Sequence, residues 1–180
     1  SIAKRYGSYQ PHLKALVRLS SEIFDVMNKH HGLGDREKLL MEVIAVLHDC
    51  GKYISIADAS DCSYTIIMSS EILGLSHHER EIIATTVAYN RKPLDPYEML
   101  SDRFSQEDYI LVVKLLAILK VANALDRSHK QKVKNFDMCL KDSKLMIYIE
   151  ASSSFALEKG LFSKNMGSLK KETLNRLLEI

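Results

Sequence analysis

The sequence predicts a mostly α-helical bundle followed by a small C-terminal α/β appendage. Up to about residue 125, apolar residues recur at three- and four-residue steps, the repeat of a helix with one buried face. Beyond Arg127 the texture changes: residues 134–140 and 144–150 alternate apolar and polar side chains, as half-buried strands do. With 180 residues, 46% of them hydrophobic, the chain can bury a real core. The reading divides it into a helical domain over residues 1–130 and a smaller α/β domain over 131–180.

Residues 1–10 are polar and lead into Pro11, a first-turn residue for a helix over 11–29 with Leu13, Leu16, Val17, Leu19, Ile23, Phe24 and Met27 on one face. A glycine-bearing break, His30 to Gly34, precedes a second helix over 36–49. Asp35 is its expected N-cap, Lys38 its third helical residue, and Gly51 its left-handed stop. Residues 50–61 read as a loop. Ser60, Asp61 or Ser63 would then cap a third helix over 64–73. After Gly74, Ser76 and Glu79 form a capping box that starts a fourth helix over 77–89. Pro93 and Pro96 bracket the next loop. The fifth helix, 106–125, is so densely apolar that it should be central. Lys141-Asp142-Ser143 is the turn of a β-hairpin, a further helix is expected over 155–164, and residues 167–180 return to an amphipathic pattern.

Charge and cysteine usage exclude several classes of function. Lys+Arg 25 against Asp+Glu 23 leaves a net charge of +2, so no overall field favours nucleic acid or a membrane, and any anion site must be local. Cys50, Cys62 and Cys139 are odd in number and scattered, which argues against a disulfide framework and for a reducing cytoplasm. No apolar run reaches membrane-spanning length, and the start carries no signal-peptide pattern.

The chemistry centres on His48-Asp49, at the end of the second helix and therefore at the mouth of the core. An adjacent imidazole and carboxylate can hold a hard or borderline divalent cation, or act as base and acid on a phosphate. The plain alternative is a histidine satisfied by a backbone carbonyl beside a solvated Asp. The local basic concentrations are Arg91-Lys92 and the run Arg127, His129, Lys130, Lys132, Lys134. Arg91, Lys92, Arg127, His129 and Lys130 are the phosphate-binding candidates, since such cations neutralise successive phosphates at low geometric demand. Lys132 and Lys134 read as a solvated end. Cys50 reads as a small buried apolar residue, and His30-His31 and His77-His78 as surface pairs. Tyr53, Tyr64 and Tyr89 fall at the edges of the expected cleft, where ordinary packing accounts for them equally well.

His12 on one helix, His48-Asp49 closing the next, and a polar residue in Lys120-Val121-Ala122-Asn123 on a late helix resemble the layout of the HD superfamily of metal-dependent phosphohydrolases. The resemblance implies an HD-domain-like helical bundle. It also implies a single divalent cation (Mn, Fe, Zn, Ni or Mg) on His12, His48 and Asp49, helped by Asn123, which stands where the superfamily has Asp, or by Asp126. The alternative is a hydrogen-bonded remnant of such a site. Cys62 and Asn90 stand where better-equipped relatives carry histidines, which implies that no second metal is held.

Longer strings are more specific. His48-Asp49-x-Gly-Lys-Tyr-Ile, Ser63-Tyr64-x-Ile66-Ile67, Glu71-Ile72-Leu73-Gly74-Leu75-Ser76-x-x-Glu79, Ile83-Ala84, Tyr89-Asn90-Arg91-Lys92 and Ala124-Leu125-Asp126-Arg127-Ser128-His129 resemble the C-terminal region of the Ppx/GppA family of exopolyphosphatases and guanosine pentaphosphate phosphohydrolases, over about residues 5–170. The resemblance implies an accessory half that helps to hold polyphosphate or guanosine pentaphosphate and supports a homodimer, with phosphatase chemistry in actin-like N-terminal catalytic domains. The chain has seven glycines, no glycine-rich phosphate loop, and Ser1 rather than Met. The expectation is therefore an excised C-terminal half. Its rival is an autonomous HD-type metal-dependent phosphohydrolase, with Arg91 or Arg127 stabilising transition-state charge.

Overall fold

A computed structural model of the chain describes residues 10–141 and 144–151. Helix α1 (Gln10–Val26) buries Leu13, Leu16, Leu19, Ile23 and Phe24, the face expected from their spacing. A break at Met27 leaves the single turn α2 (Asn28–His31), which ends on Gly32 at φ 64°, a left-handed value that suits glycine. His31, expected at the surface, is buried at 1% exposure.

Helix α3 (Asp35–Leu47) is capped one residue earlier than expected. Gly34, not Asp35, is the N-cap, and its N–H donates to Glu37 Oε2 at 2.8 Å. Moving the cap back by one puts Glu37 at the third helical position, where a capping-box acid belongs. After His48 and Asp49 the chain turns through a short 3₁₀ segment, Cys50–Tyr53.

Gly51 does not take the left-handed cap expected of it: among the described glycines only Gly32 and Gly74 have positive φ. Close approach is what requires glycine here. A Cβ would lie 2.1 Å from the Ala59 carbonyl oxygen and 2.5 Å from both Ser63 N and Oγ. Those atoms belong to helix α4 (Ala59–Ser69), which starts well before the expected Tyr64. Ser63, read as a possible cap, instead accepts the Gly51 N–H at 3.0 Å.

Helix α5 (His77–Ala88) begins with the expected capping box: Glu79 N–H donates to Ser76 Oγ, and Ser76 N–H to Glu79 Oε2. Helix α6 (Gln106–Leu125) has the same device in Ser105 and Asp108. It is central, with Val112, Leu115, Ala117, Leu119 and Ala122 all almost fully buried. Helix α3 packs on α1, α5 and α6, α6 packs also on α1 and α5, and α4 packs on α5.

Strands β1 (Val133–Lys141) and β2 (Lys144–Ala151) form the expected antiparallel hairpin, with Phe136 opposite Ile149. Val133 enters the core, and Phe136, Ile147 and Ile149 lean against it. Arg18 of α1 ties the hairpin down by donating to the carbonyls of Val133 and Lys134 at 2.8 and 3.1 Å. The helix expected over 155–164 and the segment 167–180 lie outside the described residues. Among the described residues no helix is long and apolar enough to cross a membrane.

Candidate metal centre and anion groove

His12 of α1, His48 at the end of α3 and Asp49 after it converge at one end of the bundle. Both histidines are buried, at 2% and 4% exposure, and their rings meet edge-on with centroids 5.2 Å apart. One possible ligand atom from each of His12, His48 and Asp49 lies within 4.8 Å of the others.

The outer partners fix which nitrogen faces inward. His48 Nδ1 lies 2.8 Å from the Ala45 carbonyl oxygen, and His12 Nδ1 lies 2.8 Å from Asp126 Oδ2. A carbonyl and a carboxylate only accept, so in each neutral ring Nδ1 carries the proton and Nε2 the lone pair. Among the described residues neither Nε2 has a hydrogen-bond partner of good geometry. His48 Nε2 lies 3.2 Å from Asp49 Oδ2. A lone pair on His48 Nε2 and the Asp49 carboxylate at this distance repel unless a cation or a proton lies between them, and the set of His12, His48 and Asp49 is one that borderline divalent metals accept.

Charge around the centre is arranged accordingly. Burial would raise the Asp49 carboxyl, but a proton on His48 Nε2, where the ring carries one, and the Lys52 ammonium outweigh it and hold it far below the usual carboxylate range. Lys52 donates directly to Asp49 Oδ2, so one positive charge is already seated on that carboxylate. Asp126 is buried too. His12 and Gln131 hold it below its ordinary value against the effect of burial. Its Oδ2 faces His12 and its Oδ1 accepts the Gln131 N–H at 2.7 Å, so it acts on the centre through His12, as a carboxylate behind a metal-binding histidine does. His129, at φ 56°, stacks flat on His12 with centroids 3.7 Å apart. Burial lowers its pKa, with His12 adding to the effect.

Asn123 and Asp126 are separated by the end of the helix. Asp126 leaves helical geometry (φ −118°, ψ 37°) and turns into the core. Asn123 lines a groove of about 430 Å³ together with Asn90, Arg91, Lys92, Lys120 and Arg127. Among the described residues, four cations and no carboxylate line it. The groove lies where α5 and α6 end, and helix C-termini carry partial negative charge, so these side chains must supply any attraction for an anion. Asn90 is 9% exposed, yet among the described residues neither polar atom of its amide has a partner. Lys120 donates to the Lys92 carbonyl at 3.1 Å, and burial lowers its pKa.

Of the phosphate candidates, Arg91, Lys92 and Arg127 thus share one groove, whereas His129 sits on His12 and Lys130 is exposed outside the groove lining. Sequence reasoning missed Lys120 and read Asn90 only as a lost metal ligand. Lys120 and Asn123, three residues apart near the end of a densely apolar helix stretch, with Arg127 just beyond its end, were the available signal. Tyr53 is exposed, while Tyr64 and Tyr89 line a second cleft beside the groove. Cys50 is fully buried and burial raises its thiol, which suits a packing residue.

Residues 1–171 match the family model described as Ppx/GppA phosphatase, domain III. No curated protein matches the chain.

Proposed function

The chain belongs to the Ppx/GppA phosphatase family, as its domain III, and on that premise we propose that it is an accessory domain that binds a chain of phosphates, as polyphosphate or a phosphorylated nucleotide. The groove supports this reading. Arg91, Lys92, Lys120 and Arg127 surround it without a carboxylate among them, and the buried Asn90 amide offers unused donors and acceptors at its wall. In this reading the catalytic chemistry lies in actin-like domains elsewhere in the parent phosphatase, and the domain supports a homodimer, which sedimentation of the whole enzyme would check. Calorimetric titration with long-chain polyphosphate at several salt concentrations tests the groove. Lys120→Met and Arg127→Ala should each weaken binding and reduce the salt slope by roughly one. Binding unchanged in both variants would sink the assignment.

The two bare Nε2 atoms favour a second reading, an HD-type metal-dependent phosphohydrolase acting by itself. His12, His48 and Asp49 would hold the cation, with Asp126 fixing the His12 ring from behind. A divalent metal bound there would supply a Lewis acid and an activated water. Equilibrium dialysis against manganese, iron, nickel, zinc and magnesium, read by elemental analysis, tests the centre. Asp126→Asn should weaken binding roughly 10–100-fold and His48→Gln should abolish it. Phosphate release by the metal-loaded chain would separate this reading from a metal-holding accessory domain.

A further inference from the structure

The basic groove has a neighbour of different chemistry. A cleft of about 280 Å³ opens between α4 and α5, lined in part by Asp61, Tyr64, Thr85, Tyr89 and Arg103. Lys92 lines both spaces, and its ammonium lies 4.7 Å from the centre of the Tyr89 ring, at the junction. Building on the anion groove, we propose that this cleft is a nucleobase subsite, so that the domain prefers a nucleotide, with phosphates in the groove and base in the cleft, to a bare phosphate chain.

Four features of the cleft suit a planar heterocycle. Tyr64 is half-buried and held from two sides: its hydroxyl donates to Glu81 and accepts from Arg103 Nη1, both at 3.3 Å. The Arg103 guanidinium lies 5.9 Å from the centre of that ring. An aromatic ring and a guanidinium plane are the surfaces on which nucleobases stack.

Thr85 supplies an unused polar group. Its neighbour Thr86 returns its hydroxyl to the Ile82 carbonyl at 2.8 Å, as threonines in helices commonly do. Thr85 is equally buried, at 1% exposure, but its Oγ1 has no partner among the described residues. At the rim, Asp61 Oδ1 lies 3.7 Å from Lys92 Nζ. A carboxylate there repels phosphate and accepts from the N–H groups of a base. The groove, without any carboxylate, does the reverse.

The test compares inorganic tripolyphosphate with ATP and GTP, which carry the same number of phosphates, by calorimetry on the purified chain at one salt concentration. The nucleotides should bind at least about tenfold tighter, the gain a stacked base typically brings. Tyr64→Ala should erase that advantage and leave tripolyphosphate unchanged, while Tyr64→Phe should keep it. Equal binding of all three ligands by the unaltered chain overturns the base subsite but leaves the groove standing. The same holds if Tyr64→Ala weakens all three equally. Failure of all three to bind removes the groove, and the subsite with it.

Discussion

Two centres of buried histidine lie in this bundle, and they use their nitrogens differently. His31 is fully engaged: Nε2 donates to the Phe24 carbonyl at 2.8 Å, and Nδ1 accepts the Leu33 N–H at 2.9 Å. Its own carbonyl accepts from the buried Lys114 ammonium at 2.7 Å. His12 and His48 are almost as deeply buried, yet among the described residues neither Nε2 has a well-formed hydrogen bond: that of His48 lies 3.2 Å from Asp49 Oδ2, and that of His12 is without a partner. Burial does not tell the two centres apart; satisfaction does. A histidine with both nitrogens bonded holds a corner of the fold. A pair with incompletely bonded nitrogens beside a carboxylate leaves polar capacity that the fold itself does not use.

The sharpest way to break this comparison is at Gly51, which lets the turn after Asp49 touch α4. Gly51→Ala places a methyl 2.1 Å from a backbone oxygen, and overpacking against backbone rather than a flexible side chain should cost about 3 kcal/mol or more. Urea denaturation would measure it. Because that contact braces the segment carrying His48 and Asp49, metal binding by any folded fraction should fall as well.

His31→Ala comes next. It removes a buried ring and leaves the Leu33 N–H and the Phe24 carbonyl without their partner, an expected loss of about 2–3 kcal/mol with metal binding unchanged. The same residue predicts a pH limb. Burial holds the His31 pKa below its ordinary 6.5, so the unfolded chain takes up the proton more readily than the folded one. Its contribution to stability is complete above about pH 6.5 and is lost as pH falls through the lowered folded value. The alanine variant should show a shallower decline in stability over that window.

How far these centres were legible in the sequence depends on whether the deciding contact was local. Helix α6 was bounded correctly, 106–125, because a dense apolar run needs no partner to identify it. The hairpin was found for the same reason. Gly51 was assigned the wrong task because its constraint comes from Ala59 and Ser63, atoms that only the docked α4 brings near. At the second helix Asp35 is the better cap by residue type, but Gly34 is the one whose N–H faces Glu37. His12, His48 and Asp49 could be picked out by their order along the chain. The division of work between Asn123 and Asp126 could not, since it depends on where α6 stops being helical. The groove was half legible: its cations come from the ends of two helices some thirty residues apart, and neither end alone marks an enclosure.

The smallest expected effect asks whether unsatisfied polarity is a reserve for ligand elsewhere in the molecule, as it is read to be at His12 and His48. Thr85 carries a buried hydroxyl without a partner, while Thr86 beside it is bonded. Valine has nearly the shape of threonine and no hydroxyl to desolvate. Thr85→Val should therefore stabilise the chain by about 1 kcal/mol, whereas Thr86→Val should bring no gain, because there a made bond is lost together with the polar group. Parallel thermal and urea melts of the two variants would read this difference. If the hydroxyl is kept for a ligand, Thr85→Val should also weaken nucleotide binding while leaving tripolyphosphate binding unchanged. Stabilisation without loss of nucleotide binding would mark Thr85 as a simple packing defect and confine the argument from unused polar atoms to the histidine centre and the Asn90 wall of the groove.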